Sequence, residues 1–269
     1  MPSTAVRAAK WGRGVSVVLL VACTMCKQQE PAPAPSAEFI FRGNDKQVLT
    51  LATYDTCTVV STGQAAQTVH WDFGNGTQAG TRQVVLSYPV AGTYPVQLTA
   101  TNEAGETRTE TKTVRVLDRV LKRIIVNRVY WSPVPGSMPN FNATWPLTTT
   151  ADVYAQIQER TAATTFPAGG LVPDAPVLFT SAVVPAVYCD TRTSFTIDVA
   201  SRFVFDKQKF KSEQYILSLL ARNPDGTYCL FSNMFGGSGA VITKENIARN
   251  EFSVTTSLLS GMTFECAFE

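Results

Sequence analysis

Histidine is almost missing from this chain: His70 is the one imidazole in 269 residues. Ser/His triads and zinc hydrolases use histidine as base or ligand, and the chain also lacks a G-x-S-x-G elbow, an H-E-x-x-H pair and a P-loop. Beyond residue 26 the cysteines are Cys57, Cys189, Cys229 and Cys266, with no C-x-x-C spacing among them. A structural zinc site therefore has nothing to ligate it, and no metal or cofactor is expected. Charge is sparse and nearly balanced, 23 Lys and Arg against 21 Asp and Glu. Without a basic stripe, nucleic acid is not an expected partner. Sustained helical periodicity is also absent.

What is present begins at the N-terminus. Arg7, Lys10 and Arg13 precede an apolar run over residues 15–22 that ends on Cys23. Basic residues followed by a short apolar core read as an export signal, and the core is shorter than the roughly 20 residues that span a bilayer. Leu20-Val21-Ala22-Cys23 resembles the bacterial lipobox. That resemblance implies cleavage after residue 22, a lipid on Cys23, and an outer-membrane location with the body on the cell surface. Cys26 is a second candidate with less suitable preceding residues. The run Pro31-Ala32-Pro33-Ala34-Pro35 favours extended polyproline geometry and makes residues 23–36 a stiff tether.

From residue 47 onward, short runs rich in Val, Thr, Ile, Tyr and Phe alternate with Gly, Asn, Asp and Pro. This is the pattern of an all-β chain of short-stranded sandwiches. Segments 83–86, 94–100 and 112–117 alternate as half-buried strands do. Helix is limited to a turn or two over 201–211 and a short turn at 247–251.

The most informative run is Val69-His70-Trp71-Asp72-Phe73-Gly74-Asn75-Gly76. An apolar strand ends in an aromatic pair around Asp72, and two glycines then permit a tight turn. Tyr88, Gly92, Tyr94, Val96, Asn102 and Gly105 follow at spaced positions. With Asn75 where WDFGDG would have aspartate, residues 37–117 resemble a PKD domain, an immunoglobulin-like sandwich. The resemblance implies structural roles for Trp71, Asp72, Phe73, Gly74, Gly76, Tyr88, Gly92, Tyr94, Asn102 and Gly105, and it makes His70 a strand residue rather than a catalyst.

Asp118, Arg119, Lys122 and Arg123 form a charged stretch at the junction, after which a strand is expected from Ile124. Further strands are expected at 151–157, 177–183, 193–199, 214–223, 228–234, 251–257 and 262–268. Residues 118–269 thus read as a second antiparallel sandwich or barrel. The loop before Trp145 and the Asp152-Val-Tyr-Ala-Gln-Ile157 strand are similar to a C2 domain, giving two tandem antiparallel β-sandwiches in all. Asp152 and Asp225 lack the clustered partners that a calcium site needs, and Asp225-Gly226 reads as a turn. A disulfide between two of Cys189, Cys229 and Cys266 is one alternative, with buried free thiols the other.

Two classes of function follow. One is a non-catalytic surface module, with the first domain as spacer and the distal one contacting a protein or glycan. Exposed Tyr130, Trp131, Phe141 and Trp145 around a proline-rich loop are the candidate contacts, since aromatic faces stack on sugars or anchor proteins; an accessory subunit of an outer-membrane assembly is a close alternative. The other class is a glycoside hydrolase using two carboxylates among Asp152, Asp190, Asp198, Asp206 and Asp225. Nothing in their spacing sets a pair apart.

Overall fold

β-branched and aromatic residues at every second position fit a pleated, half-buried surface. The computed structural model describes residues 32–129, 150–167, 170–188, 194–224, 226–234, 239–256 and 261–269. In the first part the strands are β1 (Phe39–Phe41), β2 (Val48–Ala52), β3 (Thr56–Ser61), β4 (Thr68–Asp72), β5 (Gln78–Ala79), β6 (Gln83–Ser87), β7 (Gly92–Thr101) and β8 (Thr107–Leu117). They form two sheets, β1-β3-β6 and β2-β8-β7-β4-β5. The inward side chains, among them Phe39, Phe41, Trp71, Tyr88, Val96, Leu98 and Val114, make one core.

All these pairs are antiparallel except β2 with β8, which run parallel. After β1 the chain turns through Arg42 and Gly43, with Asn44 N–H donating to Phe41 O at 2.7 Å, and crosses to the other sheet. The expectation of purely antiparallel pairing is corrected at this one ladder.

Residues 33–36, assigned by sequence to the tether, are part of the fold. Ser36 N–H donates to Gln64 O at 2.9 Å, and Asn102 Nδ2 donates to Pro33 O at 3.0 Å. A Cβ on Gly63 would lie 1.8 Å from Ser36 O, so the two segments touch backbone to backbone.

The remaining strands are β9 (Arg119–Val126), β10 (Thr150–Glu159), β11 (Val177–Thr180), β12 (Val184–Tyr188), β13 (Phe195–Asp198), β14 (Tyr215–Asn223), β15 (Gly226–Ser232), β16 (Ala240–Asn246), β17 (Glu251–Thr256) and β18 (Met262–Phe268). Helix α1 (Lys207–Lys211) and a 3-10 turn at Ile247–Arg249 complete the described elements. One sheet has the order β13-β9-β18-β17-β16, and the other β11-β10-β14-β15 with β12 also on β10. Their facing side chains form a second core around Ile124, Val153, Ile157, Leu217, Leu219, Phe205, Phe252 and Phe264. The outer face of β14 is covered as well, Ile216 packing with Val172 and Ala175. Gln158 ties that cover down by donating from Nε2 to Val172 O at 2.7 Å and Ala175 O at 3.1 Å.

Two strands escaped the sequence pattern. β12 contains Pro185, which removes a ladder donor and suits an edge position. β16 is an edge strand whose residues are mostly exposed, so its apolar members mark no face. The junction also differs from expectation, because β9 begins at Arg119, five residues before Ile124.

Candidate contact site

Each residue of the first motif is held by bonds within its own sandwich. Trp71 is fully buried, meets Phe39 edge-on at 5.1 Å, and donates from Nε1 to Thr81 O at 2.8 Å. Phe73 stacks along it at 6.0 Å. Asp72 Oδ1 accepts from Gly74 N–H at 2.9 Å, and Asn75 Oδ1 accepts from Thr77 N–H at 3.0 Å. Gly74 has φ +71° and a Cβ there would lie 2.7 Å from Pro95 O, so both the turn and the close approach exclude a side chain.

Tyr88 donates its hydroxyl to Phe73 O at 3.0 Å and stacks on Tyr94 at 4.2 Å. Burial pushes the Tyr88 phenol up. Tyr94 in turn donates to Val90 O at 2.8 Å, and its ring lies 3.4 Å from where a Gly92 Cβ would stand. Asn102 closes the β7–β8 turn, its Oδ1 accepting from Ala104 N–H and Glu106 N–H, with Gly105 at φ +81°. His70 lies on the exposed side of β4.

Residues 32–116 match the PKD domain family. Within the PKD segment, the PKD1 domain of Vibrio anguillarum Epp is 29% identical, covering 32% of this chain and 95% of that structure at a TM-score of 0.26. The PKD1 domain of the Vibrio cholerae metalloprotease PrtV is 28% identical, covering 31% and 98%, also at 0.26. A structure of carbohydrate-binding modules from the β-sandwich superfamily is similar at 11% identity over 88% of this chain and 93% of that one, with a TM-score of 0.28. A likeness of that size carries no functional assignment. No curated protein matches the chain.

Cys23, Cys26, Tyr130, Trp131, Phe141 and Trp145 lie outside the described residues, as do Cys189, Asp190 and Asp225. Cys57, Cys229 and Cys266 are free thiols. Cys229 and Cys266 sit on strands of opposite sheets, and burial pushes each thiol up to about 12. Unfolded, such thiols ionise near 9, so this contribution to stability is present below pH 9 and is lost as pH rises toward 12. Both should resist a thiol reagent at pH 8 in the native protein and react on denaturation. Rapid native labelling of either would contradict their burial.

The remaining candidate carboxylates stand apart. Asp152 faces Arg222 at 3.7 Å, Asp198 lies beside Arg123 on β13 and β9, and Asp206 caps α1. They line three separate hollows.

A cluster that sequence reasoning missed lies where the PKD domain meets the distal sandwich. Arg119 has no solvent exposure, yet it donates from Nη1 to Thr53 O at 3.0 Å and from Nη2 to both oxygens of Asp55 at 2.8 Å. Nη2 also reaches Glu245 Oε1 at 2.9 Å. Lys207 joins the same two carboxylates at 3.3 and 2.5 Å. The guanidinium lies over the rings of Phe252 and Phe268, 5.1 and 5.5 Å from their centroids, which adds cation–π attraction. Two cations thus answer two anions in a partly dry site. Thr53 and Asp55 come from the PKD domain and the other three from the distal one, so the cluster bolts the domains together. Backbone bonds reinforce it, Thr53 N–H to Leu117 O at 2.9 Å and Asp118 N–H to Glu269 O at 2.7 Å.

Beside this bolt runs a groove of about 470 Å³ with walls from both domains. Tyr54 and Val90 stand on the PKD side, Leu178 and Phe203 on the distal side, and Asp118 and Asp206 are polar members of the lining. Tyr54 has φ +64°, an uncommon conformation for a bulky residue. Its carbonyl accepts from Gln208 Nε2 at 3.3 Å, tying it to α1. A second hollow of about 400 Å³ lies over β9, β18 and β17. Its charges are largely paired within it, Arg123 with Glu265 and Lys122 with Glu269.

Proposed function

We propose that this chain is a non-catalytic, lipid-anchored surface protein of a bacterial outer membrane, in which the PKD domain is a spacer and the distal sandwich contacts a protein or glycan. The path of the chain through the PKD domain carries this reading. Pro33 is tied to Asn102, at the turn where β8 begins, whereas the chain leaves at Leu117, where β8 ends. The 11 residues of β8 separate the two points, about 33 Å at the usual strand rise. A domain whose chain enters at one end and leaves at the other adds its full length to a stalk. The buried Arg119 bolt favours transmission of that length to the distal sandwich without a hinge.

The anchor is tested by feeding cells a palmitate analogue. Wild-type protein and Cys26→Ser should take up label, while Cys23→Ser should stay unlabelled and keep its signal segment. Unlabelled wild-type protein would overturn the anchor. Protease added to intact cells should remove the distal domain if it stands outside; protection would place it on the periplasmic face. Recovery of one stoichiometric protein partner from those cells would instead make the chain a subunit of a larger assembly.

A further inference from the structure

We propose that the groove between the PKD domain and the distal sandwich binds a neutral oligosaccharide. The inference rests on the contact-module reading and assigns that contact to one place and one ligand chemistry. At about 470 Å³ the groove falls in the range of small-ligand sites, roughly 300–1,000 Å³. Its walls offer flat apolar surface from two sides: Tyr54 and Val90 on one, Leu178 and Phe203 on the other. Tyr54, Val90 and Leu178 are 37, 63 and 36% exposed, so these faces are open to solvent. The apolar face of a sugar ring packs on surfaces of this kind.

The polar groups decide between ligand classes. Asp118 and Asp206 each bring a carboxylate to the groove. Asp118 Oδ2 is held by Arg202 at 2.7 Å, and Asp206 Oδ1 by the N–H groups of Gln208 and Lys209 at 2.7 and 3.1 Å. Asp118 Oδ1 and Asp206 Oδ2 have no hydrogen-bond partner among the described residues. The charge of each carboxylate is thus already answered, by a guanidinium in one case and by the start of α1 in the other. What remains is capacity to accept hydrogen bonds, which hydroxyl groups supply without bringing a charge. The nearby cations are engaged too, Lys209 with Glu159 at 2.6 Å and Arg202 with Asp118. An anionic ligand therefore finds no unpaired cation among them, and a cationic one would compete with pairs already made. A neutral ligand with ring faces and hydroxyl donors fits both the walls and the lining.

Because the walls come from different domains, the site exists only while the Arg119 bolt holds them in register. Isothermal titration of the full chain in a detergent without sugar head groups would use four probes: cellohexaose, xylohexaose, mannohexaose and the hexamer of N-acetylglucosamine. At least one should bind. Val90→Arg and Leu178→Arg, both at exposed positions, should each weaken that binding at least roughly tenfold by filling the groove, with melting temperature unchanged. Asp206→Asn keeps an efficient helix cap and should weaken binding several-fold. Binding of none of the four probes by the wild type overturns the glycan inference. Equal binding by both arginine variants overturns the groove assignment while leaving the contact-module reading intact. Displacement of the sugar by an oligolysine peptide would show a cation site and overturn the neutral-ligand argument.

Discussion

Asp55→Ala should lower the stability of the folded chain by roughly 2–3 kcal/mol and uncouple its two domains. A buried ion left wholly without its partner costs about 3–5 kcal/mol; the lower figure applies because Glu245 stays on Arg119 Nη2 and Asp55 is 27% exposed. For a body of this size the loss corresponds to about 5–10 °C in melting temperature. Scanning calorimetry should show more than the shift. In the wild type the two sandwiches share the Arg119 cluster and the backbone bonds around Leu117 and Asp118, and they should melt together. In the variant the PKD domain and the distal sandwich should separate into two transitions. Glu245→Gln, which leaves the bidentate Asp55 contact intact, should cost less and keep one transition. An unshifted single transition in Asp55→Ala would mean that the cluster contributes nothing to coupling.

Trp71→Ala should unfold the PKD domain while sparing the distal one. Truncating a fully buried aromatic costs about 3–5 kcal/mol in lost burial and cavity, and here Thr81 O also loses its donor. A domain of this size has only about 5–15 kcal/mol in total. Trp71→Phe keeps an aromatic ring against Phe39 and Phe73 and forfeits chiefly the N–H bond, so it should remain folded at lower stability. Limited proteolysis reads both variants: in Trp71→Ala, cleavage should fall within residues 37–117 and leave a resistant C-terminal fragment. A resistant N-terminal domain in that variant would show that Trp71 is not its keystone.

The PKD segment was legible because its signals are local. A strand that ends in Trp-Asp-Phe before Gly74 and Gly76 dictates the turn, and Tyr88, Tyr94 and Asn102 act on backbone close to them in sequence or on the neighbouring strand. The alternation in β7 and β8 likewise reports directly which side chains face the core. Parallel pairing of β2 with β8 was not legible, since alternation reveals a strand's faces but not its neighbour. β12 and β16 were missed because edge strands tolerate proline and polar residues. Tyr130, Trp131, Phe141 and Trp145 were singled out as aromatics beside a proline-rich loop, whereas the groove draws on Tyr54 and Phe203, which sit in no sequence motif.

Arg119 shows the limit most clearly. In sequence it stands among Asp118, Lys122 and Arg123 and reads as a solvated linker, yet it is the most completely buried charge in the described structure. Its partners lie 64 and 126 residues away, and no window along the chain contains them. The sequence by itself determined the β class, the PKD turn chemistry and the expectation of a lipid on Cys23, because periodicity, turn residues and short motifs act over a few neighbouring positions. Only the tertiary structure decided how the domains are joined and where a ligand could sit between them. A buried ion cluster and a groove with walls from two domains are made by residues that meet only after the chain has folded.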